Sequence, residues 1–182
     1  MTAYAAGTPA VQYTATARTL HWLTAALVLP MVPIGLLIAN VELGRAAFLY
    51  DLHRSIGVLL LLLLLLRLWY RVTHPPPPLP SDLPQIQRLA AHATHWSLYL
   101  LLILQCLVGW IATSAYPARV NLFWLIELPL IWWEDRALSE RLFVVHLWLG
   151  LMIAALICAH VGAALFHHFV RRDDILLRMV GR

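Results

Sequence analysis

The chain has no lysine, only two cysteines and few charges of either sign. All 13 of its basic residues are arginine, 12% of its 182 residues are charged, and the formal net charge is +4. Two cysteines cannot build a disulfide framework. Low charge combined with 62% hydrophobic residues excludes disorder, which needs the opposite balance. A soluble domain averages about 25% charged and about 45–50% apolar residues, so a water-soluble fold is excluded as well. The arginines sit singly or in pairs between apolar runs rather than on one basic face, which speaks against nucleic acid. An integral membrane protein remains, as a single domain over residues 1–182.

A helix that crosses a bilayer needs about 20 mostly apolar residues. Arg18 and Glu42 enclose 23 uncharged residues, Arg88 and Arg119 enclose 30, and Arg141 and Arg171 enclose 29. Arg54 and Arg67 enclose only 12, about 18 Å of helix. A span there must include both arginines, their guanidinium groups snorkelling outward, with Leu68, Trp69 and Tyr70 as an interfacial anchor. Four spans follow, at about 19–41, 49–71, 91–114 and 142–170. The expected fold is an all-α, four-transmembrane-helix bundle. The apolar stretch 120–133 is too short to span and is interrupted by Glu127 and Pro129. With Trp124, Trp132 and Trp133 it reads as a segment lying in the membrane interface. Pro75 to Pro78, with Pro80 and Pro84, read as a stiff extended linker between spans two and three.

Arginine counts near the span ends set the orientation. Arg18, Arg67, Arg71, Arg88, Arg171, Arg172, Arg178 and Arg182 fall on one side; Arg45, Arg54, Arg119, Arg136 and Arg141 fall on the other. Both termini are therefore expected in the cytoplasm, and the first 17 residues, without basic charge or apolar core, are not a secretory signal peptide. Cys106 and Cys158 lie within spans and read as soft packing residues.

The nine histidines are the anomaly, because an imidazole inside a bilayer is costly and by default functional. In span four, His146, His160 and His167 are spaced by 14 and 7 residues, which places all three on one helix face, His146 and His160 about 21 Å apart. That is too far to share one metal ion and points to two separate centres. His53 is the only other histidine at the far end of a span, so topology pairs it with His146. For His160 the partners His21, His92 and His95 all remain open. His21 lies three residues after Arg18 and His160 eleven before Arg171, so these two meet only if span four tilts or projects beyond the membrane.

Two facing imidazoles on different helices of a bundle fit the iron of bis-histidine haem. Zinc would require converging ligands with Cys or carboxylates among them, and apart from Asp51 none lies at either depth. Gly57 and Gly150, four residues after His53 and His146, leave room for a macrocycle on the same faces. No C-x-x-C-H occurs, so the haem would be non-covalent, of b type.

Five segments now carry a resemblance: RTLHWL at 18–23, DLHRSIGV at 51–58, AHATHWSLYLL at 91–101, VVHLWLGL at 144–151 and AHVGAALFHHFVRRDDILLRM at 159–179. With the Pro-rich loop, in this order, the chain resembles the bacterial cytochrome b561 family, most closely its small four-helix superoxide oxidase (superoxide:ubiquinone oxidoreductase) branch. The resemblance implies two haems b in the inner membrane. It implies that His21 and His160 ligate the cytoplasmic-side iron, that His53 and His146 ligate the outer one, and that His95 and His167 flank a ubiquinone pocket. His74, His92 and His168 receive no role. The implied activity oxidises superoxide at the periplasmic face and passes electrons to ubiquinone. Arg54, beside His53, and Arg141, near His146, are candidates to steer the anion or to meet a haem propionate. Against steering, Glu42, Asp51, Glu127, Glu134, Asp135 and Glu140 outnumber the five arginines on that side. Two alternatives predict different behaviour. A membrane-anchor cytochrome b subunit would take electrons from a docked protein and copurify with it. A histidine-lined channel for metal transit would be colourless.

Overall fold

The computed structural model describes residues 12–41 and 43–181, without the side chains of residues 43–46. Residues 1–11, Glu42, Arg182 and the side chain of Arg45, which enter the readings above, lie outside that description. Four long helices make the fold: α1 (Ala15–Ala39), α2 (Leu43–Thr73), α3 (Gln85–Ala115) and α4 (Arg136–Phe166). Strands β1 (Val120–Leu122) and β2 (Ile126–Leu128) form a hairpin between α3 and α4. A π-helical turn (His167–Arg171) and a short helix α5 (Ile175–Val180) follow α4. All four long helices are long and apolar enough to cross a membrane. Leu29, Leu62, Trp69 and Trp148 stand exposed on their outward faces, as a lipid surround requires. The expected four-helix membrane bundle is what the chain forms, each helix packing mainly on its sequence neighbour. One end of the bundle carries Tyr13, α5 and the Pro-rich loop; the other carries the hairpin.

Helices α1 and α4 begin before the hydropathy spans because side-chain caps, not apolarity, open them. The Thr14 hydroxyl accepts from the Ala17 amide at 3.2 Å and opens α1 four residues before the expected span. Asp135 accepts from the Leu138 amide at 2.9 Å and opens α4 at Arg136 rather than at 142. With its π-turn α4 runs 36 residues, about 54 Å, against about 30 Å of hydrocarbon. It is longer than the hydrocarbon is thick, and along it His160 stands level with His21.

The 120–133 stretch is not a featureless interfacial segment. Its residues pair as an antiparallel hairpin, Val120 with Leu128, Asn121 with Glu127 and Leu122 with Ile126. Phe123 and Trp124 at its turn adopt positive φ, 48° and 61°, a conformation that needs outside support in non-glycine residues. Ser55, fully buried on α2, supplies it: its hydroxyl accepts from the Phe123 amide at 2.8 Å and donates to the Asn121 carbonyl at 3.1 Å. Phe48 stacks on Trp124, centroids 5.1 Å apart. The hairpin is thereby stapled one turn from His53.

The Pro-rich linker is extended, as expected, and it is pinned. Arg178 donates to the Pro78 carbonyl at 2.7 Å, Arg88 to the Pro80 carbonyl at 3.3 Å, and Arg171 bonds Asp82 at 3.1 Å.

Candidate functional site

Seven residues of helix make almost two full turns, so residues seven apart share a face and stack about 10.5 Å apart. Each long helix uses this interval twice. In α1 it links His21, Val28 and Gly35; in α2, His53, Leu60 and Arg67; in α3, His95, Leu102 and Gly109; in α4, His146, Ile153 and His160. Because the helices alternate in direction, these twelve positions form three layers. Val28, Leu60, Leu102 and Ile153, all buried, pack together with Leu64 as the middle one. Toward the hairpin lie Gly35, His53, Gly109 and His146. Toward the termini lie His21, Arg67, His95 and His160. His167 continues the α4 stripe seven residues further.

In the hairpin-end layer His53 and His146 face each other, ring centroids 6.2 Å apart and planes at 70°. A ring nitrogen lies about 1.1 Å from its centroid and a metal–imidazole bond is about 2.0–2.1 Å, so two rings facing one ion have centroids about 6.3 Å apart. The two glycines of the layer back these rings. A Cβ on Gly109 would stand 2.9 Å from Cε1 of His146, and one on Gly35 would stand 3.3 Å from Cε1 of His53. Gly57 and Gly150 line the same cavity, of about 590 Å³, with Val28, Leu61 and Leu102 among its apolar walls. That volume lies inside the range of about 300–1,000 Å³ usual for ligand pockets. Eight buried side-chain polar atoms among the described residues lack a hydrogen-bond partner. Four of them (Nδ1 of His53 and of His146, Oε1 of Gln105 and Nε1 of Trp110) belong to residues that line this one cavity. Since an unsatisfied buried polar atom costs about 1–3 kcal/mol, the concentration marks a place built to receive a bulky group carrying polar atoms. A non-covalent haem fits that description.

In the terminal-end layer His21 faces His160 at 6.3 Å, planes at 66°. His95 stands nearer to His160, at 5.2 Å, too close for an ion to fit between the rings by the same arithmetic. His92 is exposed and leaves the group of candidates. Arg67 does not snorkel outward as expected: its Nη2 lies 2.7 Å from Nδ1 of His21, and its guanidinium lies over the Tyr99 ring at 5.2 Å. At that depth an imidazole and an aromatic face inside the bundle are nearer than water.

The remaining candidates divide. Arg54 lines the cavity, largely buried, with Asp51 at 3.7 Å and the Tyr50 ring under its guanidinium at 5.4 Å. It also does not snorkel. Arg141 is exposed and is not part of the cavity wall. Three of the opposing carboxylates are occupied by arginines, Asp51 by Arg54, Glu127 by Arg119 and Glu134 by Arg136. His95 and His167 have different neighbours: His95 packs on His160, while Nδ1 of His167 lies 2.5 Å from the Asp173 carboxylate. Burial alone would raise the Asp173 pKa, but the His167 hydrogen bond, the Ile175 amide and Arg171 outweigh it, so the carboxyl is held below its ordinary range. His74 is exposed and stacks on Tyr70, and Cys158 is exposed on α4.

Gly35, Gly109 and Asp173 escaped the sequence reading, and Arg67 was read there only as a span-end residue. Gly35, Gly109 and Arg67 stand 14 residues after His21, His95 and His53, the interval that also links His146 to His160. Asp173 has no such signal.

The profile described as prokaryotic cytochrome b561 matches residues 12–182. Cytochrome b561 homolog 2 of Escherichia coli (strain K12) is 36% identical over 165 residues, 89% of this chain and 87% of that protein. A probable superoxide oxidase, CybB, of Yersinia pestis is 32% identical over 168 residues, 88% of this chain and 91% of that protein. Cytochrome b561 homolog 1 of the same Escherichia coli strain is 27% identical over 171 residues, 90% and 93% of the two chains. With a layered histidine core, four membrane-crossing helices and a match along nearly its whole length, the chain belongs to the prokaryotic cytochrome b561 family of b-type haem membrane redox proteins.

Proposed function

We propose that the protein oxidises superoxide to dioxygen at the hairpin end and delivers the electrons to ubiquinone at the terminal end. The observation that carries this reading is the pair of facing imidazole couples, 6.2 and 6.3 Å between centroids, on either side of an apolar layer. His53 and His146 would hold one haem b, His21 and His160 the other. When bound, such groups accept and release one electron at a time, which is what a one-electron donor and a two-electron acceptor need between them. Two superoxide anions lose one electron each to give two dioxygen molecules; one ubiquinone gains two electrons and two protons.

The chain's own residues supply position and charge. Gly35 and Gly109 let the outer imidazoles sit against the backbone. Arg54 puts a cation on the cavity wall for an anionic substrate, and Tyr116 and Val120, at the hairpin base, close part of its rim. His95 and His167 serve the quinone, which takes its protons on the cytoplasmic side. The arginine balance orients the protein in the bacterial inner membrane with both termini cytoplasmic, and the likeness to a probable superoxide oxidase along 91% of that protein supports the substrate.

The test is spectroscopic. Purified protein should show two low-spin b haems per chain before and after dithionite, and mixing with superoxide should reduce them rapidly. Arg54→Gln should slow that reduction, most at low salt. The anchor-subunit reading draws on the exposed hairpin tip, Leu125 at 84% and Ile126 at 59%. It gains if a soluble redox partner copurifies and superoxide leaves the haems oxidised.

A further inference from the structure

A cluster of titratable groups lies outside the three layers, where α4 gives way to the tail. The helix changes at His167 into a π-helical turn that ends at Arg172, in left-handed conformation with φ 56°. π-turns are rare and frequently occur at functional sites. This one reverses the chain. The Asp173 amide donates to the His167 carbonyl at 3.2 Å, and the Asp173 carboxylate returns to the ring that opened the turn, Oδ2 at 2.5 Å from Nδ1. In an unbroken α-helix residues six apart lie about 120° away from each other and could not meet.

The carboxylate is held from several directions. Arg171 Nε donates to Oδ2 at 3.3 Å and the Ile175 amide donates to Oδ1 at 3.2 Å. The His167 and Asp173 side chains are only 12% and 16% exposed. Of the other charged groups near the turn, Arg172 is exposed and the rest have neighbours of their own. Arg171 also bonds Asp82 on the Pro-rich loop, Asp174 pairs with Arg178 at 3.0 Å, and His168 packs edge-on against Phe169. Among the described ion pairs Asp173 is the one carboxylate on the His167 ring.

We propose that Asp173 is the positioning residue that makes His167 a proton donor to the quinone. It fixes the ring with Nδ1–H toward the carboxylate, leaves Nε2 as the atom that gives up its proton, and stabilises the doubly protonated ring. This rests on the reading of His167 as a quinone-site residue. In the transfer the Nε2–H bond breaks and an O–H bond forms on a quinone oxygen as an electron arrives from superoxide oxidation. The ring is left neutral, still bonded through Nδ1–H to Asp173, and Nε2 is reprotonated from water at the terminal end. The arrangement is that of a carboxylate fixing the tautomer of a catalytic imidazole.

The test is 15N NMR of the full chain, haem-loaded and labelled with 15N-histidine, with His167→Gln to assign the ring. The two ring nitrogens of His167 should report Nδ1 as the protonated one in the wild type. Asp173→Asn keeps the shape but removes the charge and should abolish that tautomer preference. It should also slow ubiquinol formation about tenfold, with haem content and absorption spectrum unchanged. Asp173→Glu should recover part of both effects. An unchanged His167 tautomer overturns the role of Asp173, and this arm needs no quinone. A tautomer that changes while ubiquinol formation keeps its wild-type rate overturns instead the placing of the quinone at His167.

Discussion

Gly109→Ala offers a graded test of the layered core. The added methyl would lie 2.9 Å from Cε1, 3.2 Å from Nδ1 and 3.7 Å from Nε2 of His146. Carbon–carbon contacts prefer about 3.5–4.0 Å, so the ring must retreat by about 0.6–1 Å, out of line with His53. Overpacking of this kind costs about 1–3 kcal/mol, and the better helix propensity of alanine returns about 0.8–1.0 kcal/mol. The net deficit reaches about 2 kcal/mol, roughly a 30-fold loss of affinity at about 1.4 kcal/mol per decade. Gly35→Ala meets His53 at 3.3 Å, so its ring yields a few tenths of an ångström and the two terms nearly cancel. Gly162→Ala meets nothing within 4 Å and should be neutral or stabilising. The assay is haem per chain together with Tm of the purified proteins. The expected order of retention is Gly109→Ala below Gly35→Ala, with Gly162→Ala no worse than wild type, and the loss confined to one of two haems. Wild-type haem content and Tm in Gly109→Ala would refute the reasoning, because the His146 ring would then not be fixed against α3.

Three further outcomes follow from the contacts. His21→Ala should remove the terminal-end haem and leave the other, while His95→Ala should retain both; the reverse result in haem counts would exchange their roles. Ser55→Ala removes two buried hydrogen bonds that hold the hairpin and should cost about 1–3 kcal/mol, read as faster proteolysis or hydrogen exchange over residues 120–128. Because the folded-state pKa of Asp173 is depressed, its contribution to tail docking is complete above the ordinary carboxylate value of about 3.9 and is lost as pH falls below it. Hydrogen exchange in α5 should therefore rise at acid pH, and Asp173→Asn should lose that dependence.

The His53–His146 pair was legible in the chain because topology left one histidine at each far span end. The choice of His21 over His95 was not. Both lie in one layer beside His160, and about 1 Å of centroid separation, set by packing, divides them. Gly35, Gly109 and Arg67 carry the same 14-residue interval as the histidines, but the interval acquires meaning only when the register of neighbouring helices is known. The hairpin was hidden by the tryptophans of the 120–133 stretch, although Val-Asn-Leu and Ile-Glu-Leu alternate with the period of a strand. Asp173 reaches His167 through a π-turn, and no hydrophobic periodicity announces one.

Val28, Leu60, Leu102 and Ile153 carry no hydroxyl, amide or carboxyl through which a proton could hop. On the proposed route electrons would pass between the couples on either side with no proton relay among these four side chains, across about 21 Å of a hydrocarbon thickness of about 30 Å. Moving one charge through the full membrane potential is worth about 2.3 kcal/mol per 100 mV, so this passage spans about two-thirds of that. On the proposed route the protein would do more than dispose of an electron: its turnover would charge the membrane that holds it.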